Sequence, residues 1–96
     1  MDLGKVIKLL RKKQGLNQKE LASRCGLSQT YLSLIEGNRK EPNLATLKAI
    51  ANELNVSLPI LFFMSLGKED VPESKREMFE ILEPTIKDLI KQIYSK

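Results

Sequence analysis

The side chains best suited to recognition chemistry in this sequence lie on one face of a short predicted helix. The stretch GLSQTYLSLIEG, residues 26–37, places Ser28 at an expected N-cap, and the predicted helix ends at Glu36. Four side chains share one continuous face at about 100° per residue: Gln29, Thr30, Ser33 and Leu34. An amide can pair with the N6/N7 edge of adenine, hydroxyls can donate or accept, and leucine can pack on a thymine methyl. This face therefore suits the readout of base edges in a major groove.

The composition excludes several other kinds of chemistry. The 96 residues contain no histidine and one cysteine, Cys25, which excludes a zinc site, His-based catalysis and an intrachain disulfide. Cys25 is interpreted as a small buried hydrophobe on an inner helix face. The adjacent acids Glu69 and Asp70 lie in a predicted linker and indicate solvation. We therefore predict no enzymatic activity, no metal and no cofactor.

Positive charge is concentrated in the N-terminal part of the chain. The net charge is +4, yet residues 1–40 hold nine Lys/Arg against three acids, residues 41–70 two against four, and residues 71–96 five against five. This distribution favours a polyanion as partner of the N-terminal part. The sequence shows neither a signal peptide nor an apolar run long enough for a bilayer, so we expect a cytoplasmic protein with no membrane segment.

The elements that must position these side chains are short helices. Apolar periodicity and capping residues predict helices over residues 2–14, 18–25, 29–36 and 43–54, and a fifth that begins after Ser57. Asn17 and Glu20 have capping-box spacing at the start of the second helix. The fourth helix is expected to bury Leu44 and the apolar residues that follow it at helical spacing. The prediction is an all-α fold.

Residues 18–35 indicate a helix-turn-helix, because Ala22 allows close helix approach and Gly26 permits a sharp turn. The longer segment LNQKELASRCGLSQTYLSLIEGNRKEPNLATLKAIANELNVS resembles the helix-turn-helix domains of the phage repressor and Cro family, also called XRE-like regulators. The resemblance covers about residues 3–62. It implies a five-helix, repressor-like DNA-binding domain.

The resemblance also implies roles for residues outside the exposed face. Gln18 matches the usual phosphate binder, Asn17 and Lys19 are neighbours that assist, and Arg11 matches an arginine that pairs with Glu36. We expect this pair to be partly buried and to direct the guanidinium towards the phosphates. In similar domains the residue at the position of Leu34 is commonly polar or basic and often contacts DNA, and this leucine departs from that pattern. Three alternatives are open for Leu34: contact with a thymine methyl, contact with a second subunit, or no contact.

A basic loop follows the predicted third helix. Asn38, Arg39 and Lys40 are placed to contact more distant phosphates, the alternative being a solvated charged loop. Lys12 and Lys13 are interpreted as a solvated helix end. Candidate phosphate contacts therefore flank the predicted base-reading face on both sides.

The C-terminal segment carries an apolar stripe of its own. Five residues recur every three or four positions: Met78, Leu82, Ile86, Leu89 and Ile93. Ser74 and Glu77 have capping-box spacing, and Pro84 either kinks one helix or separates two. Three alternatives are open for this segment: it folds back on its own domain, its apolar stripe pairs with a second subunit, or the stripe docks on another protein. Phe62 and Phe63 offer a further dimer face.

Together these features predict a sequence-specific, double-stranded DNA-binding transcriptional regulator, a repressor that acts as a homodimer on a palindromic operator. We divide the chain into a helix-turn-helix domain at residues 1–66, a linker at 67–73 and an amphipathic helical segment at 74–96. One alternative is an antitoxin-like or controller-like subunit that also binds a protein through its C-terminal helix. Another is a protein-interaction adaptor that has lost DNA binding.

Overall fold

The computed structural model describes residues 1–94, and their regular structure is helical throughout. The first five helices are α1 (Leu3–Lys13), α2 (Gln18–Cys25), α3 (Gln29–Glu36), α4 (Leu44–Glu53) and α5 (Leu58–Ser65). Two single 3-10 turns, Lys68–Asp70 and Glu73–Lys75, lead into the long helix α6 (Arg76–Tyr94). The predicted all-α class, with five short helices and a C-terminal helix, is confirmed.

Two of the predicted capping residues, Asn17 and Ser28, begin their helices with a side-chain hydrogen bond, whereas Ser57 precedes α5 without one. The Asn17 side chain accepts from the backbone N–H of Glu20, whose side chain accepts in return from the N–H of Asn17, completing a capping box. Ser28 caps α3 by accepting from the backbone N–H of Tyr31 at 3.0 Å. Asn43 was expected to be the first residue of the fourth helix; it is instead the N-cap of α4, and its side chain accepts from the backbone N–H of Thr46. Local side-chain chemistry therefore places these helix starts.

One core joins α1 to α5. α1 packs against α3 and α5, α2 packs against α3 and α4, and α4 packs against α5. Its most deeply buried large side chains come from all five helices: Ile7, Leu21, Leu32, Ile35, Ile50 and Leu61. α2 and α3 are thus held by apolar contacts with the other helices of this core.

Leu44 corrects one expectation. It was predicted to be buried with the rest of the α4 stripe, but it is 55% exposed. Leu44 is the first residue of α4, and the core begins with Leu47 one turn later.

Within residues 1–94, no single helix is long and apolar enough to cross a membrane, and the α4–α5 pair that reaches this composition is bent by 97°.

The C-terminal helix is continuous through Pro84, so the two-helix alternative is wrong. The predicted Ser74 cap is wrong too, because Ser74 lies inside the second 3-10 turn, which continues directly into α6. The Arg76 side chain fastens this junction by donating to the backbone oxygens of Lys68 and Val71.

The apolar stripe of α6 is only partly covered by the chain itself. Ile86 is half-buried, and the neighbouring Ile90 is only 5% exposed. The other four stripe residues, together with Ile81, are exposed large hydrophobics: Met78, Leu82, Leu89 and Ile93. α6 therefore presents one covered side and one open apolar side.

Candidate DNA-binding surface

α2 and α3 are joined by a turn that depends on Gly26. Its φ of 68° lies in the left-handed region, which glycine adopts without steric cost. The N–H of Leu27 then donates to the carbonyl of Ala22 at 2.8 Å, which closes the end of α2. Ala22 is buried and Leu27 is half-buried against the core. The turn fixes the angle at which α3 leaves α2.

The outer face of α3 is exposed as the sequence predicts. Gln29, Thr30 and Ser33 are exposed, whereas Leu32 and Ile35 on the opposite face are 0% and 1% exposed. Leu34 is half-buried at the edge of the exposed face. A helix anchored on one side with a polar row on the other can enter a major groove without losing its core contacts.

Arg11 and Glu36 form a buried ion pair behind this helix. Arg11 Nε and Nη2 donate to the two Glu36 carboxylate oxygens at 2.8 and 3.0 Å, a two-pronged contact. The third guanidinium nitrogen, Nη1, donates to the carbonyl of Leu16 at 2.9 Å. The predicted pairing is present, and it joins α1 to the last residue of α3.

The expected orientation of Arg11 is corrected by this geometry. We predicted partial burial and a guanidinium directed towards phosphates, but the Arg11 side chain is only 7% exposed and that of Glu36 only 3%. All three guanidinium nitrogens are used inside the fold. Arg11 is therefore a structural residue, and its charge is neutralised where it lies.

Gln18 extends this ion pair to the start of α2. Its side-chain Nε2 donates to Glu36 Oε1 at 3.1 Å, the same oxygen that accepts from Arg11 Nη2. Gln18 is half-buried, while Asn17 and Lys19 on either side are exposed. The first-turn N–H groups of a helix lack intrahelical acceptors and favour an anion. Sequence reasoning did not find the bond between Gln18 and Glu36.

Asn38 has a structural role that sequence reasoning missed. It lies just after α3 with a φ of 56°, and its Oδ1 accepts from the backbone N–H of Gly4 at 3.0 Å. Its Nδ2 donates to the Asp2 carboxylate at 2.6 Å. Hydrogen bonding to Asn38 is the main reason that the pKa of Asp2 is lowered. Asn38 thus ties the end of α3 to the start of α1.

The loop after α3 is ordered by backbone hydrogen bonds. The N–H groups of Arg39 and Lys40 both donate to the carbonyl of Leu34, at 2.9 and 3.3 Å. The side chains of Arg39 and Lys40 are exposed. The structure therefore presents two basic side chains beside the end of α3, on a loop of defined course.

Cys25, the single cysteine of the sequence, is the last residue of α2. Cys25 is half-buried and packs against the core, and burial raises the pKa of its thiol, which disfavours the reactive thiolate. Across the part of the chain that the structure describes, no group of three or more His, Cys, Asp or Glu residues could hold a metal ion.

The turn and the exposed face of α3 define a helix-turn-helix domain. Residues 7–61 match the protein family model described as Helix-turn-helix. The immunity repressor protein of Bacillus phage phi105 is 34% identical over 93 residues, which are 97% of this chain and 60% of that protein's length. The chain belongs to the helix-turn-helix family of XRE-type transcriptional regulators, as its motifs predict.

Several solved structures are similar to this fold, and two of them contain SinR. One is a crystal structure of SinR, a master regulator for biofilm formation, in complex with DNA. Its TM-score is 0.60 at 36% sequence identity, and the match covers 62% of this chain and 97% of the matched SinR chain. The other is the complex of SinR with SinI, with a TM-score of 0.62 at 25% sequence identity. This match covers 98% of this chain and 99% of the matched chain.

Proposed function

We propose that this protein is a transcriptional repressor that binds double-stranded DNA by inserting α3 into the major groove. The observation that carries the proposal is the exposed row Gln29, Thr30 and Ser33 on a helix whose other face is locked into the core. In this role Gln29 pairs with adenine, Thr30 and Ser33 bond neighbouring base edges, and Leu34 packs on a thymine methyl. The protein performs no chemistry and acts by occupying an operator in the cytoplasm.

Phosphate contacts on both sides of the groove would orient α3. We assign one contact to the start of α2, where Gln18 is flanked by Asn17 and Lys19. We assign the other to the exposed Arg39 and Lys40, with Asn38 shaping the loop that carries them. The +6 charge of residues 1–40, derived from nine basic and three acidic residues, supports this assignment.

A second copy of the chain completes the proposed function. One recognition helix contacts too few base pairs to select a site in a genome, so two half-sites are needed. The open side of α6 is suited to pairing, because it contains five of the eight exposed large hydrophobics among residues 1–94. We propose that Met78, Leu82, Leu89 and Ile93 meet the same surface of the partner, with Ile86 at the edge of this contact.

A second candidate function assigns the same surface to a different protein. The SinR–SinI complex is a precedent for two-protein assembly in a similar structure. In this alternative the chain is an antitoxin-like or controller-like subunit, whose DNA binding responds to a protein on α6. The oligomeric state of the isolated chain separates the two candidates, since only the homodimer needs no second protein.

Selection of bound sequences from a random duplex pool tests the proposed function. We expect enrichment of a palindrome whose half-sites lie about one helical turn apart. Affinity for unselected duplex should fall linearly on a plot of log affinity against log salt. An unenriched pool and no salt-dependent binding would leave the protein-interaction adaptor as the better account.

A further inference from the structure

We propose that Glu36 is a positioning residue for DNA binding, which holds the Gln18 amide in place for a phosphate. This inference rests on the proposed function and deepens it. Glu36 Oε1 accepts from Gln18 Nε2 at 3.1 Å and from Arg11 Nη2 at 3.0 Å. One carboxylate thus connects the last residue of α3 with the first residue of α2.

The chemistry of the amide nitrogen makes this arrangement useful. A carboxamide nitrogen carries two hydrogens, whereas its oxygen can only accept. Because Gln18 Nε2 gives one hydrogen to Glu36, its rotamer and amide orientation are set before DNA arrives. The second hydrogen of the same nitrogen remains for a phosphate oxygen, since Gln18 as a whole is only half-buried. Preorganisation of this kind lowers the entropy lost on binding.

Arg11 makes a carboxylate acceptable at this position. A buried, unpaired anion close to a phosphate would repel it and would be costly to desolvate. Arg11 Nε and Nη2 neutralise Glu36 with a two-pronged contact, while Nη1 is fixed by the Leu16 carbonyl. The Arg11–Glu36 pair can therefore anchor a phosphate-binding amide without presenting a net charge to DNA.

The hydrogen bonds that Glu36 accepts from Gln18 and Arg11 also couple two parts of the proposed DNA contact. Glu36 closes α3, which carries the base-reading row, and Gln18 opens α2, at the proposed phosphate contact. A shift of α3 relative to α2 would break the Gln18–Glu36 hydrogen bond. Phosphate binding at Gln18 and base readout by α3 are thus set in one common geometry.

A double-mutant cycle on DNA affinity tests this inference with Glu36→Gln and Gln18→Met. Loss of a hydrogen bond to a charged group predicts that Glu36→Gln weakens operator binding roughly tenfold when Gln18 is present. In the Gln18→Met background the same change should have little further effect, because Glu36 acts through Gln18. Equal losses in both backgrounds would overturn the inference, while operator binding by the wild type would leave the proposed function intact.

A measurement on the free wild-type chain guards against a variant that does not fold. We expect one Gln18 Nε2 hydrogen to exchange with solvent more slowly than its partner in side-chain amide NMR spectra. Gln29 is the matched control, because its amide is exposed on α3. Equally fast exchange of the Gln18 and Gln29 hydrogens would contradict a preorganised Gln18. Absence of salt-dependent DNA binding by the wild type would overturn both the proposed function and this inference.

Discussion

Gly4 lies so close to the end of α3 that a Cβ atom there would fall 2.5 Å from the carbonyl oxygen of Glu36. The same atom would lie 2.6 Å from the Ile35 oxygen and 2.7 Å from Asn38 Oδ1. Two of these three neighbours are backbone oxygens at the end of α3, which cannot rotate away as a flexible side chain could. The position of α3 against α1 therefore depends on the absence of a side chain at residue 4.

Gly4→Ala is expected to destabilise the fold by about 1–3 kcal/mol, as overpacking of a closely packed site does. The free energy of unfolding from urea titrations measures this loss. Gly37→Ala is the matched control, because its added Cβ would meet its nearest neighbour, the Ser33 oxygen, at 3.4 Å. Equal stability of the two variants would contradict the close approach of α1 and α3.

Asn38→Ala is expected to raise the pKa of the Asp2 carboxyl towards its ordinary value, because the Asn38 amide is the main cause of its lowering. Stability gained from a lowered carboxyl pKa is present above the ordinary pKa and is lost as pH falls through the folded-state pKa. The free energy of unfolding of the variant should therefore be lower than that of the wild type above the ordinary carboxyl pKa, and the difference should shrink as the pH falls. NMR titration of the Asp2 carboxyl carbon measures the shift.

Asn55→Ala controls for the backbone cost of that change. Asn55 has the same φ of 56° as Asn38, so both variants place alanine in a left-handed conformation. The side-chain bonds to Asp2 and Gly4 belong to Asn38. An Asp2 titration that moves equally in both variants would refute the assigned role of Asn38.

Leu34→Ala is expected to relax the preference for thymine at one position of each half-site, by about 1 kcal/mol. The physical reason is loss of apolar contact with the C5-methyl group, which cytosine lacks. Competition binding with operators in which single T·A pairs are replaced measures the change. Leu44→Ala, at an exposed leucine outside α3, should leave the preference intact. An unchanged base preference in Leu34→Ala would identify an idle leucine.

Leu82→Asp is expected to shift the chain from dimer to monomer in light scattering, because the new charge would have to be buried between two apolar surfaces. Leu82 is 49% exposed on α6, and Leu44, 55% exposed on α4, provides the comparison Leu44→Asp. That control should remain dimeric. A wild type that is monomeric at high concentration would instead favour a different protein as the partner of α6.

Much of the fold was predictable because its signals are local. Capping side chains at Asn17, Ser28 and Asn43 act within three residues, and Gly26 acts through its own backbone. The helix starts and the helix-turn-helix therefore follow from short stretches of sequence. Leu44 was misplaced because periodicity indicates a helix face but does not show where along the helix the core begins.

The missed features are contacts between distant residues. The Gln18–Glu36 bond spans 18 positions and the Gly4–Asn38 bond spans 34, so no local pattern encodes either. One signal was available, since a glycine within α1 is unfavourable for a helix and indicates a close approach. α6 continues through Pro84, and a proline in the sequence does not by itself show whether a helix bends, ends or continues there.

Binding of the selected operator and of a scrambled duplex by wild type and Gln29→Ala tests the central claim most directly. Loss of an amide–adenine contact predicts that Gln29→Ala weakens operator binding by about 1–3 kcal/mol and leaves scrambled-duplex binding nearly unchanged. Fluorescence anisotropy at fixed salt gives both affinities. Equal weakening on the two duplexes, or no effect on either, would contradict base readout by α3.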